Sequence, residues 1–347
     1  MSISACITSI SGPVLLPEER AFLREAKPWG VILMGRSCES KVQVTALVAE
    51  IHEALGREAL VFIDQEGGRV ARLKAPEWPK FPAAGVYGQL YEFDQDRAVQ
   101  ACRLGHRLMG QELTRIGIHA DCAPVGDLRQ ADTHDAIGDR SFGYSVDSVV
   151  SLAEAALLGL SDAGVAACIK HMPGQGRATS DSHYDLPIVS ADEQALQQDF
   201  SIFSALGAQS RMGMTCHVVF ETLDPENPAT VSKTVISDVI RTRIGFDGVL
   251  MTDDLGMNAL GGRLSDRGAR ALSAGCDVLL HCSGFLKDPA EILSEMEEIA
   301  SAAGALSGDA LRRANAADAS VQTAGEFDTE ADWARFTELL SGAGVGA

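Results

Sequence analysis

Charged and polar residues in this sequence collect directly after short apolar runs. Asp64-Gln65-Glu66-Gly67-Gly68-Arg69 follows one run, and Lys170-His171-Met172-Pro173-Gly174-Gln175-Gly176 ends another. Thr215-Cys216-His217 and Thr252-Asp253-Asp254 close two more, while Gly138-Asp139-Arg140-Ser141 precedes Phe142. A carboxylate at the end of an apolar strand is partly desolvated yet keeps polar neighbours. That environment suits Asp253 to act as a nucleophile toward an electrophilic carbon such as an anomeric centre. The alternative is helix capping, because Asp253 and Asp254 precede the segment LGMNAL and aspartate is a favoured N-cap. Two adjacent aspartates let one cap while the other faces a pocket. Spacing alone weighs these readings evenly.

Residues 174–187, GQGRATSDSHYDLP, make a long glycine-containing stretch after the Lys170-His171 run. Within it Asp181 and His183 are two apart, close enough to hydrogen-bond across a turn. An Asp–His pair orients an imidazole and stabilises its cation for acid–base work. The same triplet also suits an Asx-turn with a solvated histidine. Gly174-Gln175-Gly176 lacks the Gly-Lys-Ser/Thr ending of a phosphate cradle and the third glycine of a dinucleotide fingerprint. His171, His183 and His217 together with Asp253 could imitate a metal site. No H-x-H, H-E-x-x-H or Cys/His spacing supports one, so neither a metal nor another cofactor is expected.

These residues need a frame. Near-continuously apolar runs at 5–10, 30–34, 60–64, 119–124, 166–170, 212–217, 248–253 and 277–282 read as parallel strands covered on both faces. Helical patterns lie between them, for example at 41–55, 98–116, 146–163 and 232–244. Eight strands alternating with helices argue for a closed (β/α)8 TIM barrel rather than an open sheet. In such a barrel the active site lies at the carboxyl ends of the strands, where the unusual residues fall. No proline- or serine-rich linker divides the chain. A single catalytic domain over 1–347 is expected, with C-terminal helices from about Pro289 packed on it and a polar end at 341–347.

The 347 residues carry 48 acidic against 29 basic side chains, a net charge of −19. A field of that sign disfavours nucleic acid and anionic membrane surfaces as partners. The N-terminus MSISACITSI lacks the basic and apolar regions of a signal peptide. No run approaches the roughly 18 apolar residues of a membrane span. The eight cysteines include no C-x-x-C pair and sit mostly in apolar runs, as buried thiols do in a reducing compartment. A cytoplasmic protein is expected, as a monomer rather than an oligomer.

Several of these segments together resemble glycoside hydrolase family 3, in its bacterial NagZ-type β-N-acetylhexosaminidase branch. They are Ile63 through Val70, Ala123-Pro124-Val125, Gly138-Asp139-Arg140-Ser141-Phe142-Gly143, Lys170-His171 through Pro187, Met214-Thr215 with His217, Pro228-Ala229-Thr230, and Phe246-Asp247-Gly248 through Leu255. They span nearly the whole chain in order. The Lys-His-x-Pro-Gly…Asp-Ser-His signature is specific to the hexosaminidase branch, whereas family β-glucosidases take their acid/base glutamate from a second domain that this chain is too short to hold.

The resemblance implies a retaining exo-β-N-acetylglucosaminidase acting through a covalent glycosyl-enzyme. It places Asp253 as nucleophile, His183 as general acid and then base, and Asp181 as the partner of His183. It implies Asp64, Arg72, Arg140, Lys170 and His171 as sugar-binding residues; for Arg140 and Lys170 the residue-level alternative is an ion pair with nearby acids. Gln175 departs from the histidine or aspartate of many relatives and cannot titrate, so a loop-structural part is expected. The implied substrate is a small glycan or muropeptide such as GlcNAc-1,6-anhydroMurNAc-peptide from peptidoglycan recycling. A β-glucosidase, a broad β-hexosaminidase, a sugar-binding barrel without turnover and a metal-dependent barrel hydrolase are the rival readings.

Overall fold

The computed structural model describes residues 2–131, 134–180, 186–321 and 323–341. Eight parallel strands stand where the apolar runs fall: β1 (Ser4–Thr8), β2 (Pro28–Leu33), β3 (Leu60–Ile63), β4 (Ala120–Asp121), β5 (Ala166–Met172), β6 (Met212–Thr215), β7 (Val249–Met251) and β8 (Leu279–Leu280). They pair in chain order, with Val31 opposite Val61, Phe62 opposite Ala120, and Leu250 opposite Gly213. Ile7 of β1 pairs with Leu280 of β8, and Met251 bridges to Val278 beside β8. The ring is that of a (β/α)8 barrel.

Burial explains the apolar runs. Every residue of β2 and β3 is buried, since one face meets the barrel interior and the other the outer helices. At Gly30 a Cβ would lie 2.5 Å from the Phe62 ring, so glycine is what lets that ring fill the interior. The helix Lys41–Leu55 starts where Ser40 accepts from the Gln43 N–H and stops at Gly56, φ 66°. It buries Val44, Leu47, Val48, Ile51 and Leu55 along one face. Each such side chain contributes about 1.5–3 kcal/mol. Asp94, Ser145 and Asp192 cap three further outer helices in the same way.

The C-terminal segment returns to the barrel. Helix Pro289–Ala303 buries Ile292, Met296 and Ile299 in the core, and Thr329–Leu340 sets Phe336 and Leu339 against Gln95–Thr114. Seven cysteines are buried, Cys38 is half-buried, and all eight are free. Among the described residues no helix is long and apolar enough to cross a membrane.

Two local expectations change. The run 232–244 is helical but wound as a π-helix over Val235–Arg243, a stretch rich in β-branched residues that crowd an ordinary α turn. LGMNAL is not helical at all. It forms turns, because Asp254 Oδ1 accepts the Gly256 N–H at 2.9 Å and diverts the backbone before a helix can start.

Candidate active site

At the carboxyl ends of the strands lies a cavity of about 310 Å³. Asp64, Arg72, Arg140, Lys170, His171 and Asp253 all line it, although they come from four separate stretches of chain. Asp181 and His183 lie outside the described residues.

After β3 the chain folds into a hairpin, with Gln65–Gly67 paired to Val70–Ala71. Gly67 and Gly68 turn it at φ 88° and 59°, the left-handed region that glycine enters without a Cβ clash. This turn holds two acids over the cavity. Asp64 accepts from Arg72 Nη2 at 2.9 Å and from Lys170 Nζ at 3.0 Å. Glu66 is gripped by Arg140 through Nε and Nη2, both at 2.8 Å, and lies 2.6 Å from Lys170 Nζ. Lys170, only 2 % exposed, therefore bridges two carboxylates. The ion pairs considered for Arg140 and Lys170 do form, and the paired groups themselves wall the cavity.

Burial pushes both acids up, but the facing cations outweigh it. Lys170 and Arg72 hold Asp64 well below the usual carboxylate range, and Arg140 with Lys170 brings Glu66 down to about 2. Burial likewise disfavours the cations, and the same carboxylates more than restore them, so Lys170 and Arg140 stay charged. Asp121 behaves oppositely. Fully buried, it is driven well up by desolvation, although the Gln65 N–H and Lys170 pull it down.

His171 is set by Asp127, a fully buried acid that sequence reasoning missed. Asp127 Oδ2 lies 2.6 Å from His171 Nδ1, while Oδ1 accepts from the backbone N–H of Gln175 at 2.6 Å and of His171 at 3.3 Å. With Nδ1 donating to the carboxylate, Nε2 carries the lone pair, 3.4 Å from Arg140 Nη2. Gln175 is anchored through its backbone N–H and also lines the cavity. The neighbouring glycine answers to close packing: a Cβ on Gly176 would stand 2.0 Å from the Leu128 carbonyl oxygen.

The two aspartates after β7 divide their work. Asp254 Oδ1 accepts from Gly256 N at 2.9 Å and Cys282 N at 3.0 Å, tying the end of β7 to the end of β8. Its carbonyl lies 3.0 Å from His217 Nε2, whose Nδ1 is 2.7 Å from Thr230 Oγ1. Burial lowers the His217 pKa, so a neutral ring donates from Nε2 and accepts at Nδ1. Asp253 is half-buried, and among the described residues its carboxylate accepts one hydrogen bond, from Asp254 N–H at 2.8 Å. Both residues line the cavity, but Asp254 Oδ1 is engaged in the scaffold, whereas the Asp253 carboxylate has only that one local contact among the described residues.

Among the described residues no three His, Cys, Asp or Glu side chains gather as a metal-holding group. The cavity instead offers four carboxylates, four cations and an oriented imidazole, a charge-balanced set that suits a neutral polyhydroxylated ring. Sequence reasoning had left Glu66 and Asp254 without site roles as well as Asp127. An acidic residue inside the apolar run APVGDL was the signal available for Asp127.

Residues 15–315 match the family described as Glycosyl hydrolase family 3 N terminal domain. The chain is 38 % identical over 290 residues, 82 % of each protein, to a Beta-hexosaminidase of Alkalilimnicola ehrlichii. It is 34 % identical over 281 residues, 80 % of each, to a Beta-hexosaminidase of Bordetella avium. NagZ from Neisseria gonorrhoeae, solved in complex with N-trifluoroacetyl-D-glucosamine, superposes with a TM-score of 0.80 at 28 % identity over 98 % of this chain and 99 % of that one. The strand-end cavity, its paired charges and these likenesses agree: the chain belongs to glycosyl hydrolase family 3 and is a glycoside hydrolase.

Proposed function

We propose that this enzyme is a retaining exo-β-N-acetylglucosaminidase that removes terminal β-linked GlcNAc from GlcNAc-1,6-anhydroMurNAc-peptides in peptidoglycan recycling. The observation that carries the reading is one small, charge-lined cavity in whose wall Asp64 and Glu66 are tied up in ion pairs and Asp254 Oδ1 is tied to the backbone, while Asp253 accepts, among the described residues, only the Asp254 N–H. At about 310 Å³ it stands at the low end of the roughly 300–1,000 Å³ of small-molecule sites, which suits one terminal sugar rather than a bound polymer. The hexosaminidase relatives and the aminosugar-bound NagZ support the choice of sugar.

In this reading Asp253 attacks the anomeric carbon while the bond to the leaving oxygen breaks, giving a covalent glycosyl-enzyme. His183 protonates that oxygen and then takes a proton from water in the second step, with Asp181 orienting its ring. An imidazole in place of a second carboxylate avoids repelling an anionic muramic leaving group. Asp64 accepts from ring hydroxyls, Arg72, Arg140 and Lys170 donate to sugar oxygens, and His171 Nε2 accepts from a hydroxyl. The chain acts as one catalytic unit, a cytoplasmic monomer needing no cofactor.

The test is a parallel assay on nitrophenyl β-GlcNAc, β-GalNAc and β-glucoside, followed by a time course on purified muropeptides with product identification. Release of GlcNAc and anhydro-muropeptide, with the glucoside untouched, is expected. Preference for the glucoside makes it a β-glucosidase, equal GlcNAc and GalNAc rates make it a broad hexosaminidase, and binding without release removes turnover altogether. Loss of activity on chelation would point to a metal-dependent hydrolase.

A further inference from the structure

His281 follows β8 directly and is completely buried. Its ring stands between carboxylates from two different elements: Nε2 is 2.9 Å from Glu295 Oε2, on helix Pro289–Ala303, and Nδ1 is 3.2 Å from Asp254 Oδ1. Ser283 Oγ donates to the same Glu295 oxygen at 2.7 Å. The Asp254 contact is an ion-pair approach that completes no hydrogen bond at Nδ1, so the carboxylate near each ring nitrogen favours the imidazolium by its charge. Burial lowers the His281 pKa, but the two acids more than reverse this, to about 9. Burial also opposes charge on Asp254, and His281 with the Cys282 and Gly256 N–H groups holds its carboxyl below the usual range.

We propose that His281 is a positioning residue: the chain of charges Glu295–His281–Asp254 fixes the Asp254 peptide, and through its N–H the carboxylate of Asp253. This rests on the reading of Asp253 as the nucleophile. The geometry is continuous from the outer helix to the cavity. Glu295 holds the ring with Ser283 beside it, the ring lies in ion-pair contact with the Asp254 carboxylate, and the Asp254 N–H donates to Asp253 Oδ1 at the cavity wall. A charged trio around a buried histidine stabilises a fold no better than apolar packing of the same volume. What it adds here is a cation against the Asp254 oxygen that already accepts the Gly256 and Cys282 N–H groups, which holds that carboxylate ionised and in place. Other charged groups bear on the trio. Arg267 donates to the Leu255 and Met257 carbonyls of the same turn, Arg36 is a second cation near Asp254, and Glu298 and Asp253 are the further acids.

The experiment compares the full chain with Glu295→Gln, a change on the outer helix and away from the cavity wall. The substrate is 2,4-dinitrophenyl β-GlcNAc, whose leaving group departs without a proton donor, so kcat/KM reports attack at the anomeric carbon. Without one carboxylate His281 should lose its proton at lower pH. The alkaline limb should fall by about one to two pH units, costing several-fold at pH 8 and little at pH 6, with GlcNAc inhibition unchanged. In the unaltered protein, ¹⁵N NMR should find both His281 nitrogens protonated at pH 7. Superimposable pH profiles, a loss equal at every pH, or a neutral His281 at pH 7 each overturn the proposal. Mapping a 2-fluoro glycoside label separates the two readings. A label on Asp253 with unshifted profiles removes the positioning role alone, and a label on another residue removes both.

Discussion

Asp127 Oδ2 lies 2.6 Å from His171 Nδ1, and the same carboxylate receives the Gln175 N–H through its other oxygen. One buried acid therefore sets both the tautomer of a cavity-lining histidine and the start of the segment that leads to His183. Asp127→Asn keeps the size but can turn an N–H toward Nδ1, moving the ring proton to Nε2. A hydrogen bond to a charged group is worth about 1.5–3 kcal/mol, so kcat/KM should fall roughly ten- to a hundredfold with the fold intact. Circular dichroism and kinetics on nitrophenyl β-GlcNAc check it; unchanged kcat/KM would show that the tautomer does not matter.

The aspartates after β7 should respond differently to substitution. Asp253→Asn should remove turnover and leave the melting temperature where it was, because its carboxylate holds little of the scaffold. Asp254→Ala strips the partners of Gly256 N, Cys282 N and His281. Leaving such buried groups unpaired costs about 1–3 kcal/mol each. Thermal unfolding together with activity separates them; a stable, inactive Asp254→Ala beside an active Asp253→Asn would mean the roles are exchanged.

Acid should loosen the cavity wall in a defined window. The folded-state pKa of Glu66 lies below its ordinary 4.5, at about 2, so its contribution is complete above the unfolded value and is lost as pH falls toward the folded one. Asp64 is depressed in the same sense. Urea unfolding between pH 6 and pH 2.5 should show stability dropping below about pH 4.5. Glu66→Gln should be less stable at pH 7, by about 3–5 kcal/mol if it breaks the buried pairing fully, and should flatten that acid slope. An unchanged slope would place the acid sensitivity elsewhere.

Leaving-group chemistry tests His183. His183→Ala should slow glycosylation from a nitrophenyl substrate only modestly, since nitrophenolate leaves without much help. On the natural disaccharide the loss should approach the roughly 10²–10⁴-fold that a positioned acid supplies. Azide should restore turnover by capturing the accumulated glycosyl-enzyme, and Asp181→Asn should give a weaker form of the same pattern. Equal losses on both substrates without azide rescue would reassign His183 to binding.

The barrel was readable in the sequence because strands buried on both faces must be apolar throughout, which left Asp64, Lys170, His171 and Asp253 conspicuous at their ends. Asp127 and His281 were harder to see. Each is a polar residue within an apolar run, and what it does depends on a partner 44 or 14 residues away that only barrel closure brings near. Glu66 stands in the strand-end run with no partner legible nearby, because Arg140, which grips it, comes from a distant loop. Helix capping stays open for Asp253 and Asp254 in the sequence, because the Asx-turn that Asp254 makes and an N-cap start with the same residue type and differ only in what the backbone does next.

In the proposed reaction Asp253 forms a covalent bond to the sugar. Incubating the enzyme with a 2-fluoro derivative of the sugar bearing a good leaving group should trap the intermediate, since fluorine slows its breakdown. Digestion and mass spectrometry should then place one sugar on the peptide containing Asp253, with fragmentation assigning it to Asp253 rather than Asp254. A label on any other residue, or an unlabelled enzyme that is fully active on nitrophenyl β-GlcNAc, would contradict the account.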